Sequence, residues 1–89
     1  MKGTTSTGFK FDADENIMDD VEFLERLAEA MTVNGFEMFP ILEELLGKDG
    51  KKALYEHVRN EKGKVSLDRL NDELGEILSA LSEGDETKN

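Results

Sequence analysis

Apolar residues recur at helical spacing through most of the chain. The first such segment covers residues 19–31, and acids in its first turn favour the positive end of a helix dipole. Asn34 and Gly35 then form a strong helix breaker. A first helix is therefore predicted over residues 19–31. Its apolar stripe consists of Val21, Leu24, Leu27, Ala28 and Met31.

A second helix is predicted over residues 37–46. Pro40 fits its first turn, where the missing N–H costs little, and Gly47 can supply a left-handed C-terminal cap. Apolar residues leave only two glutamates as a polar face, so this helix is predicted to be the most buried. Those apolar residues are Met38, Phe39, Ile41, Leu42, Leu45 and Leu46.

Two further helices are predicted on either side of a polar turn. The third runs from residue 49 or 50 to residue 59. The fourth follows Ser66, a natural N-cap, and Gly75 is expected on its polar side. The core stripe of the fourth helix has intervals of 3, 4, 3 and 4 residues: Leu67, Leu70, Leu74, Ile77 and Leu81.

These elements predict an all-α fold, a small bundle of about four short helices in residues 17–82. Residues 1–16 are predicted to be a flexible or extended arm, and residues 83–89 a polar tail. Phe9 and Phe11 share one face of the arm if it is extended. They can form a short strand, present a hydrophobic hook to a partner, or fold back onto the domain.

Composition limits the classes of function. With 89 residues, 37% apolar and 36% charged, the chain can form one small domain with a modest core. The absence of cysteine excludes disulfides and thiol-bound zinc, and a single histidine excludes a histidine cluster. There is no apolar signal region and no run of about 20 apolar residues. A cytoplasmic protein without a membrane segment is predicted.

The net charge of −10 is unevenly distributed. Residues 12–44 carry eleven acids against one base, Arg26, whereas residues 48–69 carry seven bases against four acids. Nucleic acid would be repelled over most of such a surface, so it is not an expected partner. The basic stretch can contact the acidic half of the same chain, another copy, or an acidic partner.

Residues 59–74 have the outline of a calcium-binding loop between two helices, but not its chemistry. With Gly63 at loop position 6, the ligand positions 1, 5 and 12 fall on Val58, Lys62 and Arg69. Adjacent carboxylates elsewhere diverge on their helices, and the segment GKDGKKAL lacks the order of a phosphate-binding loop. We expect no enzyme activity, no cofactor and no metal, and a surface or packing role for His57.

Three segments resemble the tail assembly chaperones of long-tailed (siphovirus-type) bacteriophages and prophages. They are FDADENIMDDVEFLERLAEA, FPILEELLGKDGKKALYEHV and NEKGKVSLDRLNDELGEIL, and the similarity runs from about residue 12 to residue 81. It is a pattern of helices and turns and carries no catalytic signature.

This resemblance implies a mostly helical, self-associating protein without enzymatic activity. Such chaperones keep the tape-measure protein soluble, help tail-tube protein assemble around it, and are absent from the mature virion. Many are also made in a longer form by a −1 ribosomal frameshift. Thr87, Lys88 and Asn89 can be encoded as ACA AAA AAC, which contains a slippery heptamer, although other codons encode the same residues.

Four residues are predicted to contact a partner: Phe9, Phe11, Phe36 and Met38. Together with Met18, Met31 and Phe39, the last two can form an adaptable apolar surface. A small domain needs most of its large apolar residues inside, however, so Met31, Phe39, Leu42 and Leu46 are expected in the core. Two other functions remain open, an acidic helical module for dimerisation or regulation and an acidic inhibitor that mimics nucleic acid.

Overall fold

The computed structural model describes residues 1–86, and the side chains of residues 1–82. Its strands are β1 (Lys2–Thr4) and β2 (Lys10–Asp12). Its α-helices are α1 (Val21–Thr32), α2 (Met38–Val58) and α3 (Leu67–Glu86). A first 3₁₀ turn covers Glu15–Asp19 and a second covers Gly35–Glu37. The mostly helical prediction is confirmed. Residues 87–89, whose codons can include a slippery heptamer, lie outside the described residues.

The expected arm forms a β-hairpin, so the all-α prediction is wrong for this segment. Strands β1 and β2 pair antiparallel, with Gly3 opposite Phe11. The ring of Phe11 lies so close to Gly3 that a Cβ there would come within 2.6 Å of it. Only glycine fits at this point, and the hairpin can therefore turn its aromatic side chains towards the helices.

The boundaries of α1 and α2 follow from local capping. Helix α1 begins two residues later than predicted, because the side chain of Asp20 accepts a hydrogen bond from the backbone N–H of Phe23. Helix α2 spans both the second and the third predicted helices. Gly47, with φ of 79° and ψ of 169°, interrupts it at the predicted break. Three α-helices thus stand in residues 1–86 where about four were expected.

The turn before α3 has the architecture that its sequence predicts. The side chain of Asn60 accepts hydrogen bonds from the backbone N–H groups of Lys62 and Lys64. Ser66 caps α3 by accepting from the N–H of Arg69 at 3.3 Å. The guanidinium of Arg59 donates a hydrogen bond to the carbonyl of Gly63 at 2.8 Å. This bond from a positively charged side chain of the same chain closes the turn.

The core combines both sheet and helix residues, and it corrects the stripe predicted for α1. Phe23, Leu27 and Ala30 are the buried residues of this helix. Val21 and Met31, expected inside, are 67% and 66% exposed. The remaining buried apolar residues are Phe9, Phe11, Ala13, Ile17, Ile41, Leu42, Leu45, Leu54, Val58, Leu70, Leu74, Ile77 and Leu81. None of the described helices is both long and apolar enough to span a membrane.

Candidate functional site

A cluster of polar side chains joins the hairpin loop to α2 and α3. Its members, here called the polar cluster, are Thr5, Ser6, Thr7, His57, Glu73 and Glu76. Glu73 is only 2% exposed and accepts hydrogen bonds from the hydroxyls of Thr5 and Thr7, at 2.7 and 2.6 Å. A buried carboxylate needs such donors, and these two come from a loop that is distant in sequence.

The polar cluster contains a hydroxyl, an imidazole and a carboxylate, but their order differs from that of a nucleophilic triad. Thr7 Oγ1 lies 2.8 Å from His57 Nε2 and also donates to Glu73 Oε2. A hydroxyl has one proton, so Nε2 of His57 must donate to Thr7. In this arrangement Nε2 donates to Thr7 and does not take up the proton of its hydroxyl, as the general base of a nucleophilic threonine would. These hydrogen bonds hold the hairpin in place and do not activate the hydroxyl of Thr7 as a nucleophile.

Glu76 strengthens the same anchor at the protein surface. Its carboxylate accepts from the hydroxyl of Ser6 at 2.6 Å and from the backbone N–H of Ser6 at 2.8 Å. The hydrogen bond from the Ser6 hydroxyl lowers the pKa of Glu76 below its ordinary value of 4.5, and the hydrogen bond from the Ser6 backbone N–H lowers it further, by a smaller amount. The ring of His57 adds a tilted contact with Phe9, at 5.3 Å between centroids.

The cleft beside the polar cluster, about 660 Å³, is lined mainly by these paired groups and by Arg69 and Asp72. Within residues 1–86 no group of three or more histidine, aspartate or glutamate side chains is arranged to hold a metal ion. The hydrogen bonds of the polar cluster hold the hairpin loop against α2 and α3.

The four residues predicted to contact a partner separate into two sets. Phe9 and Phe11 are each only 6% exposed and belong to the core, because the hairpin, held by the polar cluster, packs them against the helices. They do not present a contact surface in this fold. Phe36 is 79% exposed, and Met38 is half-buried beside it. The structure thus places only the second pair at the surface.

Phe36 belongs to an exposed group at the junction of α1 and α2, here called the apolar corner. Its members are Met31, Val33, Phe36 and Phe39. The rings of Phe36 and Phe39 lie 6.5 Å apart at a tilt of 42°. The second 3₁₀ turn holds Phe36 outwards, because the side chain of Asn34 caps it by accepting from the Phe36 N–H. Met31 and Phe39 were expected in the core.

A groove of about 370 Å³ continues the apolar corner towards α3. This α3 groove is bounded on one side by Met31 and Met38, and on the other by Leu74, Gly75 and Leu78. A Cβ added at Gly75 would meet no heavy atom within 4 Å. Gly75, expected on the polar side of its helix, instead leaves a gap in an apolar wall.

Helix α1 carries a second apolar face that also ends at Met31. Val21, Leu24, Ala28 and Met31 follow one another at intervals of three, four and three residues, the spacing of a helix–helix seam. Leu24 is partly buried, and the others are exposed. The sequence pattern merged this face with the core face. The signal that could have separated them is Phe23, which lies four residues before Leu27 and seven before Ala30, the other two buried residues of this helix.

Comparison of the chain with protein-family models, with curated proteins and with solved structures returned no match. Function therefore has to be inferred from the geometry of the chain itself.

Proposed function

We propose that this chain is a non-enzymatic tail assembly chaperone of a long-tailed bacteriophage or prophage. It acts in the cytoplasm of the bacterial host, binds the tape-measure protein, promotes assembly of the tail tube, and is absent from the mature virion. The observation that carries the proposal is the apolar corner, where Met31, Val33 and Phe36 are 66%, 80% and 79% exposed within a domain that has a separate, closed core.

Contiguous exposed apolar surface marks a binding site in a small monomeric domain. Met31 and Met38 suit a client with many different apolar segments, because the unbranched thioether side chain reshapes around its partner. Phe36 and Phe39 supply large contact areas at a modest entropic cost. A surface of this composition favours a client whose bound segments are apolar and differ from one another in sequence.

The charge of the chain supports the same role. A holding chaperone must keep its complex dispersed, and a net charge of −10 on 89 residues provides strong mutual repulsion. Residues 12–44 carry eleven of the 21 acids, and this segment contains the apolar corner. The basic residues 48–69 offer a complementary surface, and we expect self-association through contacts between these two regions.

A second candidate is a small dimerisation or regulatory module. The three- and four-residue spacing of the exposed α1 face favours it, since this spacing fits a helix from a second copy. Such a module would form a defined dimer but would not keep a tape-measure segment in solution.

The test is a solubility assay with an apolar helical segment of the tape-measure protein from the same genome. Purified chain is added in increasing amounts, and the fraction of segment left in the supernatant after centrifugation is measured. We expect the wild-type chain to keep the segment soluble at near-stoichiometric ratios. Phe36→Glu should abolish this effect, because it places a charge in the centre of the apolar corner.

The matched control is Leu67→Glu. Leu67 is 57% exposed at the start of α3, outside the apolar corner, and its replacement changes charge and apolar area similarly. It should hold the segment as the wild type does. If the wild-type chain fails to keep the segment soluble, the proposed function is wrong. If the wild type succeeds and both variants behave alike, the apolar corner is not the binding site. A dimer without holding activity would favour the second candidate.

A further inference from the structure

We propose that the α3 groove is a knob-and-hole site for a basic amphipathic helix of the client. One large apolar side chain of that helix inserts over Gly75, and its flanking positions carry lysine or arginine. This inference rests on the proposed function, which it deepens by naming the kind of segment that is bound and the residues that select it.

The wall of the groove on α3 has the spacing of a hole in a coiled coil. Asn71, Leu74, Gly75 and Leu78 stand at positions i, i+3, i+4 and i+7, and all four line the groove. Four residues in this arrangement receive one side chain from a facing helix. The intervals are those of a helix that packs against another, yet no segment of residues 1–86 fills the space of about 370 Å³.

Gly75 determines the size of the inserted side chain. Glycine inside a helix weakens it relative to alanine, and nothing packs against Gly75 that would require the smaller residue. In the free protein its only structural effect is to deepen the hole. A large side chain such as leucine or phenylalanine can therefore enter between Leu74 and Leu78, and the flexible Met31 and Met38 can close around it from the opposite wall.

The charges beside the groove select a basic helix. On α3 the exposed Asp68 stands three residues before Asn71 and seven before Gly75, at the solvent edge of the groove wall. Asp72, three residues before Gly75, lies further round the helix and lines the cleft beside the polar cluster together with Arg69. On the opposite wall the exposed Glu37 directly precedes Met38. Arg26 does not offset them, because its guanidinium is paired with Glu44 of α2. Lysine or arginine beside the apolar stripe of an incoming helix would face Asp68 and Glu37.

The same charges disfavour a helix from a second copy of this chain. The apolar faces of α2 and α3 are buried in their own core. The free helix face within residues 1–86 belongs to α1, and acids border it at Asp20 and Glu25. Docking α1 of one copy in the groove of another would bring like charges together, which is unfavourable.

The experiment measures the affinity of labelled peptides by fluorescence anisotropy. The probe is a helical peptide of about 18 residues, or about five turns, with leucine at three- and four-residue spacing and lysine at the flanking positions. Two further probes replace the flanking lysines by glutamate or the central leucine by alanine. We expect the lysine peptide to bind at least about tenfold more tightly than either, with the preference for lysine weakening as salt is added.

Three variants of the chain locate the binding site. Gly75→Ala and Gly75→Leu should weaken binding of the lysine peptide in that order, with a loss of at least about tenfold for leucine. Neither should lower the denaturation midpoint, since the space around Gly75 is open and both residues favour the helix. The control Ala53→Leu adds the same side chain at an exposed position of α2 and should bind as the wild type does.

Equal affinity for the lysine and glutamate peptides would overturn the proposal, as would unchanged binding by Gly75→Leu. A free chain that is dimeric and becomes monomeric in Gly75→Leu would also overturn it, because the occupant would then be a second copy. The solubility assay tests the proposed function separately from the groove. If Gly75→Leu keeps the tape-measure segment in solution as well as the wild type, the chaperone function stands and the groove is not its site.

Discussion

Two pairs of phenylalanines, each of which begins directly after a glycine, differ in how far they are buried. Phe9 and Phe11 lie in a polar N-terminal segment, and Phe36 and Phe39 lie beside a helix breaker. The first pair is almost completely buried, whereas Phe36 is 79% exposed and Phe39 is 37% exposed. The difference arises from what holds each segment in place. Glu73 and Glu76 of α3, which are distant in sequence, accept hydrogen bonds from the hairpin loop. The second 3₁₀ turn is capped by the side chain of its neighbour Asn34.

This comparison shows that the burial of an aromatic residue can be decided by polar groups elsewhere. The hairpin has only two short strands, and an isolated two-stranded hairpin is marginally stable in water. Its hydroxyl bonds to Glu73 and Glu76 give the pairing a fixed position, and the phenylalanines then become core residues. The turn Gly35–Glu37 in the apolar corner donates a hydrogen bond to the side chain of the neighbouring Asn34, and the ring of Phe36 stays exposed beside it.

The largest effect is expected from a matched pair of aromatic truncations. Phe11→Ala should lower the free energy of unfolding by about 3–5 kcal/mol, because it leaves a cavity beside Gly3. Phe36→Ala should change the free energy of unfolding by less than about 0.5 kcal/mol, because the ring is mostly in water. Urea unfolding followed by circular dichroism measures both. Similar losses in the two variants would show that the apolar corner is part of the core.

Removal of the buried anchor should have the next largest effect. Glu73→Ala leaves the hydroxyls of Thr5 and Thr7 without their carboxylate acceptor and should cost about 2–4 kcal/mol. Glu73→Gln keeps one acceptor oxygen and should recover part of this loss. Hydrogen exchange of the hairpin amides is the informative measurement, since protection should fall there before it falls in α2. A uniform loss across the chain would mean that the anchor supports the whole fold equally.

Gly47, at the break within α2, provides a third test. Its backbone combines a left-handed φ with an extended ψ, a conformation in which only glycine is unstrained, so Gly47→Ala should cost about 1–3 kcal/mol. Gly75→Ala should have the opposite sign and stabilise α3 by up to about 1 kcal/mol. The midpoints of thermal or urea unfolding compare the two. A neutral Gly47→Ala would mean that α2 can straighten without disturbing either region.

Local signals in the sequence predicted the helical elements well. The helix breaker at Asn34 and Gly35, the break at Gly47 and the cap at Ser66 all stand where short-range rules placed them. These features depend on neighbouring residues, so the sequence contains what is needed to find them. A short strand was one of several alternatives for the arm, and the hairpin was not predicted, because it is held by Glu73 and Glu76, more than sixty residues away.

The orientation of α1 shows why the candidate surface was harder to predict. Its sequence has apolar residues over more than one face, and periodicity alone does not say which of them meets the core. The predicted stripe joined Leu27, which is buried, to Val21 and Met31, which are exposed. Phe36 and Met38, which were predicted to contact a partner, do lie at the surface, but the α3 groove was not predicted, because Gly75 was assigned to the polar side of its helix.

The smallest expected effect is a pH dependence confined to the hairpin. The pKa of Glu76 is lowered in the folded chain by its bonds to Ser6, so its contribution to stability is present above the ordinary value of 4.5. This contribution is lost as the pH falls through the lower pKa of the folded state. The backbone N–H of Ser6 donates a hydrogen bond to this carboxylate. Its NMR resonance should therefore titrate with a midpoint below 4.5.

Two substitutions separate this local effect from the rest of the acid response. Glu76→Gln should abolish the titration of the Ser6 amide and make the hairpin at neutral pH resemble the wild-type hairpin in acid. Glu56→Gln is the control, because the pKa of Glu56 is also lowered, by a hydrogen bond from Arg59 outside the hairpin. It should leave the Ser6 titration unchanged. A midpoint at or above 4.5 in the wild type would mean that the bonds to Ser6 do not persist in solution, and the hairpin would then depend on Glu73 alone.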